Sequence, residues 1–194
     1  MQKLAREDLM PLETYAKERS AFRARVMAHK KDRRVAVGPN VSLAFEDRLT
    51  MHYQVQEMLR IERIFEEQGI LDELAAYNPL IPDGTNWKAT MMIEFPDEAE
   101  RTRRLAQMIG IEDRVWVQVG DTPQVWAIAD EDMDRATDDK TASVHFLRFE
   151  FTPKQIAAIK AGAPISVGID HPSYQHRVEA LSEATRQGLA ADLD

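Results

Sequence analysis

SVHFLRFEF, residues 143–151, decides the fold class. Val144, Phe146 and Arg148 fall on one face and His145, Leu147 and Phe149 on the other. A period of two is the signature of a strand, whose successive side chains point to opposite faces. Similar short apolar runs appear in WKATMMIEF (87–95), RVWVQVG (114–120), QVWAIAD (124–130) and PISVGID (164–170). Asp121-Thr122-Pro123 lies between two of them and reads as a hairpin. Helical segments are expected at DEAERTRRLAQMIG (97–110), opened by Asp97, and at TPKQIAAIKAG (152–162), opened by Thr152-Pro153. A C-terminal helix is expected over YQHRVEALSEATRQGLAADL (174–193). Strands that follow one another without an intervening helix pair antiparallel. The expectation is an α+β fold: a mostly antiparallel sheet of about five strands, helices packed on it, and an N-terminal helical layer.

That layer is read from residues 1–80. A helix is expected over 8–31 with Asp8 as its cap, then a hairpin or sharp bend in RRVAVGPNVSLAFED (33–47) around Gly38-Pro39-Asn40. A long helix runs from Arg48 to Gln68 with Gly69 as its stop, and a short one ends at Pro79. At 194 residues the chain fits a single domain, with 1–80 as the mainly helical layer and 81–194 as the sheet-containing body.

Composition removes several chemistries. The chain has no cysteine, so disulfides, cysteine-ligated metals and an iron–sulfur cluster held by this chain are excluded. The net charge of −8 argues against a nucleic-acid binder. No run approaches the roughly 18 apolar residues of a membrane span, and a soluble, cytoplasmic protein is expected. The charge is uneven: residues 1–34 carry about +5 and the remainder about −13. The basic excess, which includes Arg23, Lys30, Lys31, Arg33 and Arg34, is either a solvated face paired with the acidic body or a docking surface for an acidic partner.

The helix beginning at MHYQVQEMLRIERIFEEQ (51–68) mixes polar and apolar residues on one side. Met51, Val55, Met58, Glu62 and Phe65 follow a four-three spacing that should face the core. Glu57 and Arg60 are neighbours three residues apart, close to that face. Buried polar groups need partners, so Gln54, Glu57, Arg60 and Glu62 imply a network, for which Arg33, Arg34, Tyr77, Asn78, Thr90 and Glu94 are candidates. No metal-ligand spacing is found: His52, Glu57 and Glu62 diverge, and no His-Glu-x-x-His motif occurs. Asp130, Asp132 and Asp134 fail as an EF-hand because Arg135 and Thr141 stand where Gly and Glu are required. His171, in Asp170-His171-Pro172 at a strand end, is a satisfied turn histidine or an acid–base group. Phosphate loops, dinucleotide fingerprints and nucleophile elbows are absent.

Arg33-Arg34, Gly38-Pro39, Phe45-Glu46, the run from Tyr53 to Glu62, Tyr77-Asn78-Pro79-Leu80-Ile81-Pro82, Ala89-Thr90, Ile93-Glu94 and Asp170-His171-Pro172 with Tyr174 resemble a bacterial family, domain of unknown function 3501. The resemblance spans about residues 3–193. Trp87-Lys88 and the acidic run at 130–139 depart from its pattern. Genes of that family commonly neighbour those of rubrerythrin-like di-iron proteins and an iron–sulfur oxidoreductase. The resemblance therefore implies an accessory, partner-binding role in a redox or oxidative-stress system. The alternative is a small-molecule enzyme or ligand-binding protein, with Glu57 as acid or base and Arg60 holding an anion. A purely structural network is the third reading.

Overall fold

A computed structural model describes residues 2–137 and 139–194. The chain runs α1 (Leu12–Lys31), β1 (Arg34–Ala36), β2 (Val41–Glu46), α2 (Arg48–Ile61), α3 (Glu67–Tyr77), β3 (Asn86–Ile93), α4 (Glu98–Gln107), β4 (Val115–Val119), β5 (Val125–Trp126), β6 (Ile128–Ala129), β7 (Val144–Glu150), α5 (Pro153–Lys160), β8 (Ile165–His171), β9 (Tyr174–Val178) and α6 (Glu183–Ala190). Two antiparallel sheets result, one of five strands in the order β1-β2-β3-β7-β6 and one of four in the order β5-β4-β8-β9. The α+β class and the five-stranded sheet match the expectation; the second sheet is additional.

The alternation of residues 143–151 carries the packing. His145, Leu147 and Phe149 are buried, and they meet Leu43, Phe45, Trp87, Ala89 and Met91 from β2 and β3. This inner face joins Val115, Val117, Ile165, Val167 and Ile169 of the smaller sheet in one apolar core. QVWAIAD does not stay in one sheet. Val125–Trp126 pairs with β4, and Ile128–Ala129 pairs with β7. Buried Ala127, whose amide donates to the Val115 carbonyl at 2.9 Å, is the corner between them. Gly168 lies opposite Trp116 in the register, and a Cβ there would come within 2.2 Å of the indole. No larger residue fits beneath that ring.

Three boundaries differ from the sequence reading. Asp8 does not cap α1: its carboxylate accepts from the Ala5 amide at 2.7 Å, and Pro11 precedes the helix. The long helix stops at Ile61, because Arg63 takes a left-handed φ of 57°. Gly69 therefore lies inside α3. The core stripe is Met51, Val55 and Leu59, while Glu62 and Phe65 lie past the break and are exposed, Phe65 to 71%. The C-terminal segment begins as a strand, since Tyr174–Val178 pairs with β8, and the helix starts only after the Ser182 cap. The Tyr174 hydroxyl donates to the Val37 carbonyl (2.7 Å) and accepts from the amides of Asn40 and Val41, both at 3.1 Å. It thereby fastens the Gly38-Pro39-Asn40 turn, whose hairpin is part of the large sheet and not of the helical layer.

Helices α1–α3 have their own clusters. Met51, Val55 and Leu59 pack with Ile70, Leu74 and Ile81, and Tyr15, Phe22 and Val26 pack against Tyr53. No helix among the described residues is long and apolar enough to cross a membrane.

Candidate functional site

Of the network expected on α2, only Glu57 and Arg60 pair, and the other partners of Glu57 come from α1. Glu57 Oε1 accepts from the Tyr15 hydroxyl at 2.6 Å and from Arg19 Nε at 2.7 Å; Oε2 accepts from Arg19 Nη2 at 2.8 Å and Arg60 Nη2 at 3.3 Å. Arg19 above all, then Tyr15 and Arg60, hold the Glu57 carboxyl at about 2, against the opposing effect of burial. Burial and the Glu57 carboxylate push the Tyr15 phenol up. Both oxygens of Glu57 are thus taken up in fastening α1 to α2. Periodicity could not supply Tyr15 and Arg19, since they lie 42 and 38 residues away on another helix.

The other candidates scatter. Gln54 is half-buried and Glu62 exposed. Asn78 clamps the backbone of Leu4, accepting from its amide (2.8 Å) and donating to its carbonyl (2.9 Å). Arg34 and Glu94 form an exposed ion pair at 2.7 Å. Arg33 is buried, donating to the carbonyls of Phe45 and Glu46 and to the Asp192 carboxylate. Burial pushes Asp192 up to about 6 despite Arg33 beside it. Arg23 and Lys31 are exposed on α1, and Lys30 is half-buried. His171 donates from Nε2 to the Ile109 carbonyl and accepts at Nδ1 from the Ser173 amide, both at 3.1 Å, so it is a satisfied turn histidine.

A site the periodicity did not mark lies on the outer face of the five-stranded sheet. The register places Lys88 of β3 directly opposite Glu46 of β2 on one side and Arg148 of β7 on the other. Two cations facing each other across adjacent strands repel. Two anions compensate: Glu150 of β7, which accepts from Arg148 Nη1 at 2.6 Å, and Glu131, from the connection after β6. The Glu131 carboxylate takes two hydrogen bonds from Arg148, at 2.8 and 2.7 Å, and lies 3.8 Å from Lys88 Nζ. The Arg148 bonds hold Glu131 below the ordinary carboxylate range, and Glu131 holds Arg148 firmly protonated. Burial lowers the Lys88 ammonium, against the pull of Glu131. On its other side Lys88 makes no ion pair with Glu46 within 4.0 Å among the described residues. Glu46 is buried, accepts from Thr90 Oγ1 at 2.8 Å through one oxygen, and leaves the other bare.

This row lies in a groove of about 550 Å³ between the sheet and the end of α3. Tyr77, Pro79, Leu80 and Phe146 supply its apolar walls; Lys88, Arg148, Glu131 and Asp132, the last paired with Arg135, supply its charge. Of the sequence candidates, Tyr77 is in the wall, and Thr90 lies two residues from Lys88 on the same face. A second hollow of about 680 Å³ is bordered by Asn40, Glu94 and Arg101, but Asn40 and Arg101 there donate to the Glu94 and Phe95 backbone carbonyls. The groove at Lys88 is where unlike groups converge on open space.

The chain belongs to the DUF3501 family of proteins of unknown function, whose profile matches residues 3–193. Its fold is that of a novel protein of unknown function from Burkholderia pseudomallei K96243, known from a crystal structure at 1.90 Å. That protein is 51% identical, the alignment covers 100% of both chains, and the TM-score is 0.95. No curated protein matches the sequence.

Proposed function

We propose that the protein binds a small molecule carrying a carboxylate on an apolar body, in the groove between α3 and the outer face of the five-stranded sheet. The observation that carries this reading is the Lys88–Arg148 pair. Two like charges are held opposite each other on rigid strands; Glu150 of β7 pairs with Arg148 alone, and the carboxylate that reaches both cations, Glu131, comes from a non-helical, partly exposed segment. A ligand carboxylate can take the place of Glu131 with the same bidentate geometry at Arg148. The apolar remainder then lies against Tyr77, Leu80 and Phe146. Thermal shift and calorimetry with aromatic and branched aliphatic carboxylates, against their uncharged amides, test it. The acids are expected to raise the melting temperature, and Arg148→Met is expected to abolish the effect. Equal response to acids and amides, or no response even in Glu131→Gln, would refute it.

A second reading, the accessory role, is supported by surface character. Arg23 and Lys31 are exposed on α1, and the α2–α3 turn exposes Ile61 to 60% and Phe65 to 71%. Its partner would be a di-iron rubrerythrin-like protein or an iron–sulfur oxidoreductase. Low-salt affinity purification from the native host should then recover such a protein and release it with salt. Recovery of the chain alone would exclude this reading.

A further inference from the structure

On the inner face of β7, behind the groove, His145 is fully buried. Its Nδ1 lies 2.6 Å from Asp130 Oδ2. The other oxygen of Asp130 accepts from the Phe146 amide at 2.9 Å and from Arg135 at 3.1 Å, so this carboxylate is an acceptor and Nδ1 carries the proton. The other ring nitrogen faces oxygens only. Nε2 is 2.8 Å from Thr141 Oγ1, 3.1 Å from the Ala142 carbonyl and 3.8 Å from Glu112 Oε2, and Thr141 Oγ1 is 3.2 Å from Glu112 Oε2. Thr141 is buried and Glu112 nearly so.

We propose that Glu112, Thr141, the Ala142 carbonyl and His145 form a binding site for a divalent first-row transition ion, with Asp130 orienting the histidine. Three arguments converge. Geometry comes first: a tetrahedral ion with ligands near 2.0–2.1 Å has ligand–ligand edges of about 3.3 Å. The four separations given above, from 2.8 to 3.8 Å, bracket that value. The second is proton counting. A carboxylate oxygen and a ring nitrogen flank one hydroxyl, which supplies a single proton, and a carbonyl lies 3.1 Å from the same nitrogen. Either a further proton on Nε2 or a cation must fill the space between them. The third is the support behind the histidine. A metal-binding imidazole almost always donates its other N–H to a carboxylate or carbonyl, as His145 does to Asp130.

The imidazole nitrogen favours zinc or ferrous iron over calcium or magnesium, and the three oxygen donors also suit manganese. The carboxylates of Glu112 and Asp130 retain 12% and 9% side-chain exposure. The ligands come from residues 112, 141, 142 and 145, and two of them are a hydroxyl and a carbonyl, so no metal-binding spacing shows in the sequence.

The experiment is titration of the chelator-treated full chain with Zn²⁺ and Mn²⁺ by calorimetry, with Co²⁺ as an optical probe. One ion per chain, a raised melting temperature and four- or five-coordinate cobalt bands are expected. Glu112→Gln keeps the size and a hydrogen-bonding oxygen but removes the charge, and should weaken binding at least tenfold. Asp130→Asn should weaken it by about 10–100-fold, the cost typical of a lost supporting partner. If the folded wild-type chain binds neither ion at one per chain, the extra proton fills the cage and the proposal is wrong. If Glu112→Gln binds as tightly as wild type, the ion sits elsewhere and the proposal is equally wrong.

Discussion

Glu57 and Glu131 are each gripped by an arginine through a two-point hydrogen bond, and they differ in what holds the carboxylate. Glu57 sits on α2, its partners Tyr15 and Arg19 on α1, and both helices are packed through Tyr53 and Phe22. Glu131 lies outside helix and strand with its side chain 45% exposed, while its partners Lys88 and Arg148 are fixed in the sheet. In the first pair, removing the anion leaves the buried Tyr15 hydroxyl without its partner. In the second, it leaves Lys88 without its ion pair and Arg148 held by Glu150 alone, both facing a groove. The same chemical motif is an anchor in one place and a vacancy-in-waiting in the other, and burial of the anion decides which.

The largest effect that can break this contrast is at Glu57. Glu57→Ala leaves the buried Tyr15 hydroxyl unpaired and returns the half-exposed Arg19 guanidinium to water, and should lower unfolding free energy by about 1–3 kcal/mol, read by urea denaturation. A loss under about 1 kcal/mol would place Glu57 in the same class as Glu131. Next comes acid. The Glu57 carboxyl is depressed from 4.5 to about 2, so its stabilisation is complete above pH 4.5 and is lost as pH falls toward 2. Stability of Glu57→Gln should accordingly vary less over that window than wild type; parallel curves would show that other carboxyls dominate. Glu131→Gln should cost less than about 1 kcal/mol, as exposed pairs do, and strengthen carboxylate binding several-fold by removing the competitor. The smallest effect belongs to Lys88→Met, which relieves both the burial of an ammonium and its repulsion from Arg148. It should change stability by no more than about 0.5 kcal/mol while weakening carboxylate binding, and a large loss of stability would mean that Lys88 is itself an anchor.

The alternation in residues 143–151 was sufficient to place His145, Leu147 and Phe149 on one face, and the Asp97 and Thr152 signals marked real helix starts. What escaped was whatever local pattern does not encode. Arg63 breaks a helix with neither glycine nor proline, through a left-handed conformation that is unusual for arginine. The strand at Tyr174–Val178 is short and passes for the first turn of the helix that follows it. Glu57 was legible as a group in need of partners, but which partners depends on how α1 lies on α2. The groove was least legible, because Lys88 and Arg148 are 60 residues apart and meet only once the β3–β7 register is known. Arg33 reads as a surface cation beside Arg34, yet the fold closes over it with Asp192 from the far end of the chain.

Asp130 has a left-handed φ of 46°. Its side chain and that of Glu131 reach opposite faces of β7, one to His145 and the other to Arg148. One peptide unit, about 3.8 Å of chain, is therefore a lever through the sheet. A displacement of Glu131 that also moves Asp130 would change how the imidazole behind it is held. Any change in how that imidazole is held is returned to the groove with the same free energy, because coupling between two binding equilibria is reciprocal.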